Sequence, residues 1–136
     1  MTDYDLFERL PTIREYRDLR RLSGLSEKTL EAAERGLPAT LFAVVVEHEG
    51  AAIGMGRVIG DGGTAYQVVD IAVLPQHQGK GLGKRIVAAL VAWLHANAPK
   101  SAYISLIADG PAKDLYAQYG FASVMPESIG MGMRII

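Results

Sequence analysis

The stretch "VVDIAVLPQHQGKGLGKRIVAALVAWL", residues 68–94, constrains this chain more than any other. It enters as an apolar strand, turns through a basic loop with Gly79, Gly81 and Gly83 at alternate positions, and leaves as a helix. Ile86, Val87, Leu90, Trp93 and Leu94 fall on one helical face. A further apolar segment, "SAYISLIA" at 101–108, reads as a buried strand. Strand, helix and strand in that order predict a right-handed crossover, with parallel pairing of the strands around 66–74 and 101–108.

The chain before this unit predicts a different pairing. "YDLFERL" is a candidate short first strand, and Thr12 with Glu15 has capping-box spacing ahead of a helix in "IREYRDLRRL". A second helix is expected to start at a Ser26 cap and to stop at Gly36. "TLFAVVVE", "AAIGMGRVIG" and "TAYQVVDIAVLP" then read as three strands joined by turns at "HEG" and "DGG", an antiparallel meander. "PAKDLYAQY" reads as a last helix, with Pro111 in its first turn and Gly120 at its end. The tail from Gly120 is expected to add one or two strands. The class is α+β: a mixed, mostly antiparallel sheet of six or seven strands, with about four helices on both faces.

The 136 residues suit a single domain, 1–136. The formal net charge of −1 provides no global attraction for nucleic acid or an anionic membrane. No apolar run approaches the roughly 20 residues of a membrane span. No cysteine is present, which excludes disulfides, thiolate metal sites and a cysteine nucleophile. This composition suits the cytoplasm, and the N-terminus lacks the pattern of a secretory signal. His48, His77 and His95 show no ligand spacing, so no metal is expected.

The glycine loop fits neither nucleotide motif. Gly79-Lys80 is followed by Gly81 rather than Ser or Thr, and the third glycine of a dinucleotide fingerprint is replaced by Lys84. What fits is Gln-x-x-Gly-x-Gly, formed by Gln78, Gly81 and Gly83. Free amides at a helix N-terminus, its dipole, and Lys80, Lys84 and Arg85 favour an anion there. These features indicate phosphate or pyrophosphate without naming the molecule.

The Gln-x-x-Gly-x-Gly motif and "AKDLYAQYGF" at 112–121 together resemble the GNAT superfamily of acyl-CoA N-acyltransferases. "GMGRVIGDG" followed by "DIAV" is similar to small serotonin-type amine acetyltransferases. The resemblance covers nearly the whole chain. It implies acetyl-CoA as co-substrate and direct transfer to a primary amine of a small molecule, with a homodimer allowed by analogy. It places CoA pyrophosphate on the backbone of Gln78, Gly79, Lys80, Gly81, Leu82, Gly83 and Lys84. It lays the pantetheine arm beside Ile71, Ala72 and Val73, where two strands splay, with an amide near Ile71 polarising the thioester. Many members carry asparagine where this chain has Asp109, which puts that pantetheine contact in doubt. The glutamate of histone-type members is replaced by Gln67.

Amine acetylation needs a neutral amine, a donor for the oxyanion and a proton for the departing thiolate. The resemblance makes Tyr116 the acid. Asp70, alone in an apolar strand, has two readings. It takes the amine's proton, or it accepts hydrogen bonds and shapes the site. Arg57 and Asp61 border the acceptor pocket or form a strand–turn salt bridge. His77 is a solvated loop residue or a phosphate contact. A CoA-binding module without catalysis is the alternative function.

Overall fold

The computed structural model describes residues 3–136. The chain divides into two compact units, Met1–Leu106 and Ile107–Ile136.

The first unit holds a five-stranded sheet in the order β1-β2-β3-β4-β5. The strands are β1 (Tyr4–Phe7), β2 (Phe42–His48), β3 (Ala51–Gly60), β4 (Ala65–Val73) and β5 (Tyr103–Ser105). Neighbours from β1 to β4 are antiparallel, and β4 with β5 is parallel, as the crossover rule required. Glu49 and Gly50, φ 51° and 81°, make the tight turn between β2 and β3. Both residues have the positive φ that matches a hairpin to the strand twist. Asp61 closes the next turn. Its Oδ1 accepts from the amides of Gly63, Thr64 and Ala65 at 2.8, 2.9 and 3.1 Å.

β3 sorts its side chains between two helical layers by strand alternation. Met55 is fully buried with Tyr16 and Leu19 of α1 (Ile13–Leu22) and Ala33 of α2 (Leu30–Gly36). Gly54 and Gly56 face the other way, under Ile86 and Leu90 of α3 (Leu82–Asn97). A Cβ built on Gly56 would lie 2.5 Å from Ile86 Cγ2 and 3.0 Å from Leu90 Cδ1. Gly56→Ala is therefore expected to lower stability by about 1–3 kcal/mol through overpacking, read as a lower urea midpoint. An unchanged midpoint would mean that α3 can move aside. Trp93 closes the far end of this layer, stacked on Phe42 at a 5.3 Å ring separation.

Thr12 and Glu15 form the expected capping box at α1. Arg9 clamps it, reaching both Glu15 oxygens at 2.8 and 3.0 Å and Glu47 at 3.1 Å. The Arg9 hydrogen bond holds the Glu15 carboxyl below its ordinary 4.5, against the opposing effect of burial, and the Thr12 amide adds to the lowering. A lowered carboxylate stabilises the fold above its unfolded value and loses that contribution as pH falls through the folded one. Glu15→Gln should therefore flatten the stability loss below pH 4.5 relative to wild type, as read by urea midpoints across acid pH. Parallel acid limbs would refute this.

Four expectations need correction. The sheet among the described residues has five strands, not six or seven. The tail after α4 (Ala112–Ala117) forms none of them. Pro126 lacks a ladder donor there, and Gly130 and Gly132 offer no side chain to pack. β5 is only Tyr103–Ser105, with Tyr103 and Ile107 exposed rather than buried. α2 is capped by Thr29, whose side chain accepts from the Ala32 amide, not by Ser26. Ser26 is engaged by Arg20, which donates to its carbonyl at 2.8 Å and its hydroxyl at 3.0 Å.

Candidate active site

The site begins at a β-bulge. Met55 pairs with Ala72 and Arg57 with Val69, so Gly56 alone faces both Asp70 and Ile71. Asp70 takes φ 58° to absorb the extra residue, a conformation that aspartate tolerates better than most side chains. Bulges of this kind re-aim side chains and recur beside active sites. Asp70 points to the α1 face, where Tyr16 and Arg20 meet it.

That carboxylate is fully engaged. Oδ1 accepts a short hydrogen bond from Arg20 Nη1. Oδ2 accepts from Arg57 Nη1 at 2.6 Å and from the Tyr16 hydroxyl at 3.1 Å. All three charged side chains are more than nine-tenths buried. The Tyr16 ring lies beneath both guanidiniums, 5.4 Å from Arg57 and 6.0 Å from Arg20. Burial, and then the Asp70 charge, raise the Tyr16 phenol above its ordinary value. Arg57 does not pair with Asp61, whose carboxylate is spent on its own turn and held well below the usual range, first by the Thr64 hydroxyl.

The bulge also marks where the sheet opens. β5 pairs with β4 only from Ala65 to Gln67. Val68–Val73, which contains Ile71, Ala72 and Val73, continues without a β5 partner among the described residues.

From Val73 the chain passes through a 3-10 turn, Pro75–His77, into the glycine loop. The side chain of Gln78 folds back, its Nε2 donating to the Val73 carbonyl at 2.9 Å. Gln78 thus clasps the loop to the strand end. Gly79 and Gly81 adopt φ 78° and 77°. Gly81 is the N-cap of α3 and supplies no capping side chain. Leu82, Gly83 and Lys84 open the helix, and the first intrahelical bond from the cap runs from the Arg85 amide to the Gly81 carbonyl. A left-handed glycine cap leaves the first-turn amides to an outside acceptor.

His77 packs against β1. It is half-buried, with Nδ1 2.8 Å from the Tyr4 hydroxyl and its ring 5.0 Å from that of His48. Lys80 places its Nζ 5.9 Å over the Tyr4 ring, so β1 supports the loop. Sequence separation hid this cluster. For Arg20 a signal existed: a charge on the buried stripe of α1, matched by a lone acid on an apolar strand.

Asp109 and Tyr116 lie in the second unit. Asp109 is exposed ahead of α4, and Pro111 is the N-cap of that helix. Tyr116 is half-buried and meets Phe121 edge-on at 6.2 Å. Burial, and then the Asp109 charge, raise its phenol above the ordinary value of 10.0. A groove of about 250 Å³ lined by α1, Ala52 and Leu74 contains none of the sequence-predicted site residues.

A family model for the GNAT acetyltransferase domain matches residues 39–123, which includes the bulge, the glycine loop and Tyr116. The chain belongs to the GNAT acetyltransferase family. As a member it is an acetyl-CoA-dependent acetyltransferase. The GNAT match runs across both compact units. Among solved structures, a Staphylococcus aureus protein of unknown function, classed as a probable acetyltransferase, is 45% identical. That alignment covers 97% of this chain and 99% of the other, with a TM-score of 0.92. A GNAT-family protein from Xanthomonas campestris is 27% identical over 99% of this chain and 95% of its own, with a TM-score of 0.76. Glucosamine-6-phosphate N-acetyltransferase from Arabidopsis thaliana, at 21% identity, shares the GNAT fold at a TM-score of 0.70 over 97% of this chain and 99% of its own. No curated protein sequence matches the chain.

Proposed function

We propose that the protein transfers the acetyl group of acetyl-CoA directly to the primary amine of a small molecule. The glycine loop carries this reading. Its left-handed cap at Gly81 leaves the opening amides of α3 available to a pyrophosphate. Backbone from Gln78 to Lys84 holds that group, and Lys80 and Lys84 add charge. Pantetheine runs as a short strand along Ile71, Ala72 and Val73, the segment that β5 leaves unpaired. The Ile71 amide donates to the thioester oxygen and stabilises the negative charge that develops there.

The neutral amine attacks the thioester carbon to give a tetrahedral intermediate. Collapse of that intermediate forms the amide and breaks the carbon–sulfur bond. The thiolate takes its proton from the Tyr116 phenol, the nitrogen's surplus proton leaves to water, and water returns a proton to the phenolate before the next turnover. Tyr116 rests on its motif position and on a phenol kept protonated by its surroundings. Asp109, in place of the family's asparagine, offers the cofactor a carboxylate instead of an amide. Asp70 holds the bulge in place rather than moving a proton, because both its oxygens already accept charge-assisted hydrogen bonds.

Thiol release from acetyl-CoA, followed with a panel of amines, tests the reading. Amine-dependent release is expected, with CoA bound more tightly than ATP or NAD by calorimetry. Tight CoA binding with no release on any amine would favour a non-catalytic CoA-binding module.

A further inference from the structure

The network around Asp70 does not balance. Two buried guanidiniums, Arg20 and Arg57, share one carboxylate, and the remaining partners, Tyr16, Ser26 and Thr40, are neutral hydrogen-bonding groups. No other carboxylate among the described residues pairs with either arginine. The cluster thus keeps one net positive charge in a site that is more than nine-tenths buried, an arrangement that calls for an anion or water.

The two arginines differ in how much of the fork is used. Arg20 spends all three nitrogens, on the Ser26 carbonyl, the Ser26 hydroxyl and Asp70. Arg57 spends Nε on the Thr40 hydroxyl at 3.0 Å and Nη1 on Asp70 at 2.6 Å. Its Nη2 has no partner among the described residues. No fully buried side-chain nitrogen or oxygen there lacks a partner, so this atom meets solvent. Arg57 is therefore a rigid, pre-oriented cation with one open edge. It is anchored to Asp70, the residue next to Ile71, in the part of β4 without a β5 partner.

We propose that this edge of Arg57 docks an anionic group, carboxylate or phosphate, of the acceptor amine. The assignment to an acceptor rests on the proposed acetyl transfer; anion binding at Arg57 does not. The open edge suits such a group because guanidinium binds carboxylate and phosphate with directed, charge-assisted hydrogen bonds. The acceptor is then an amino acid or a phosphorylated amine rather than a simple polyamine or arylalkylamine.

The first test uses the intact protein saturated with CoA, which fills the glycine loop. The Arg57 Nε–H resonance is followed by NMR while acetate or inorganic phosphate is added at constant ionic strength. A saturable shift with at least one anion, absent with chloride, is expected. No saturable shift with either, or a shift produced only by CoA itself, overturns the docking site. The second test compares turnover within matched pairs: alanine against alaninamide, and phosphoethanolamine against ethanolamine. The anionic member of at least one pair should show a kcat/KM at least about tenfold higher. In Arg57→Lys, which retains a cation for Asp70 but loses the second edge, that preference should narrow to about twofold. Equal or reversed preference with active enzyme overturns the acceptor assignment. If no amine is turned over, the acetyl-transfer reading fails, and the titration still decides whether Arg57 binds anions.

Discussion

Asp70→Asn should lower stability by about 3–5 kcal/mol, the usual effect of removing one partner from a buried ion pair. In a chain of this size that corresponds to a fall in Tm on the order of 10 °C or more. Asparagine is the informative replacement because it tolerates the positive φ of 58° that the bulge imposes. The backbone strain is thereby held constant, and only the charge is lost. Arg20 and Arg57 would be left buried without an anion, and Tyr16 would lose its acceptor. The same variant decides between the two roles of Asp70. A large fall in Tm identifies a carboxylate that holds α1 to the bulge. An unchanged Tm with turnover abolished would make Asp70 the general base and overturn the structural assignment.

Tyr116→Phe should lower kcat by about 10²–10⁴-fold, the range for loss of a positioned general acid. The Michaelis constant for acetyl-CoA should change little, because the acid acts on the thiolate only as it departs. The edge-on contact with Phe121 survives the substitution, so Tm should stay at the wild-type value. A kcat equal to wild type would assign thiolate protonation to water. The pH profile provides a second check. Burial and the Asp109 charge both disfavour the phenolate, so the acid form persists past pH 10.0. The alkaline limb belonging to this group should lie above that value and move downward in Asp109→Asn, which removes the repelling charge.

Much of this was visible in the linear sequence because it depends on near neighbours. The capping box at Thr12 and Glu15 and the tight turns at Glu49-Gly50 and Asp61 are short-range chemistry. The Gly79 and Gly81 loop and the apolar stripe of α3 are equally local. The strands expected in the tail did not form, because strand pairing depends on partners that local sequence does not specify. At Ser26 a competing partner won: Arg20, in the last turn of α1, engages its carbonyl and hydroxyl.

The family, the crossover unit and the glycine loop were legible in the sequence, because each is set by local spacing and backbone preference. Which groups Asp70 meets could be seen only in the folded chain. A one-residue bulge changes which face of the sheet a side chain meets, and nothing in the spacing of β4 announces it. Once turned to the α1 face, the carboxylate meets two arginines separated from it by 50 and 13 positions in the chain. Burial makes that meeting strong, and its unequal charge leaves one edge of Arg57 facing solvent.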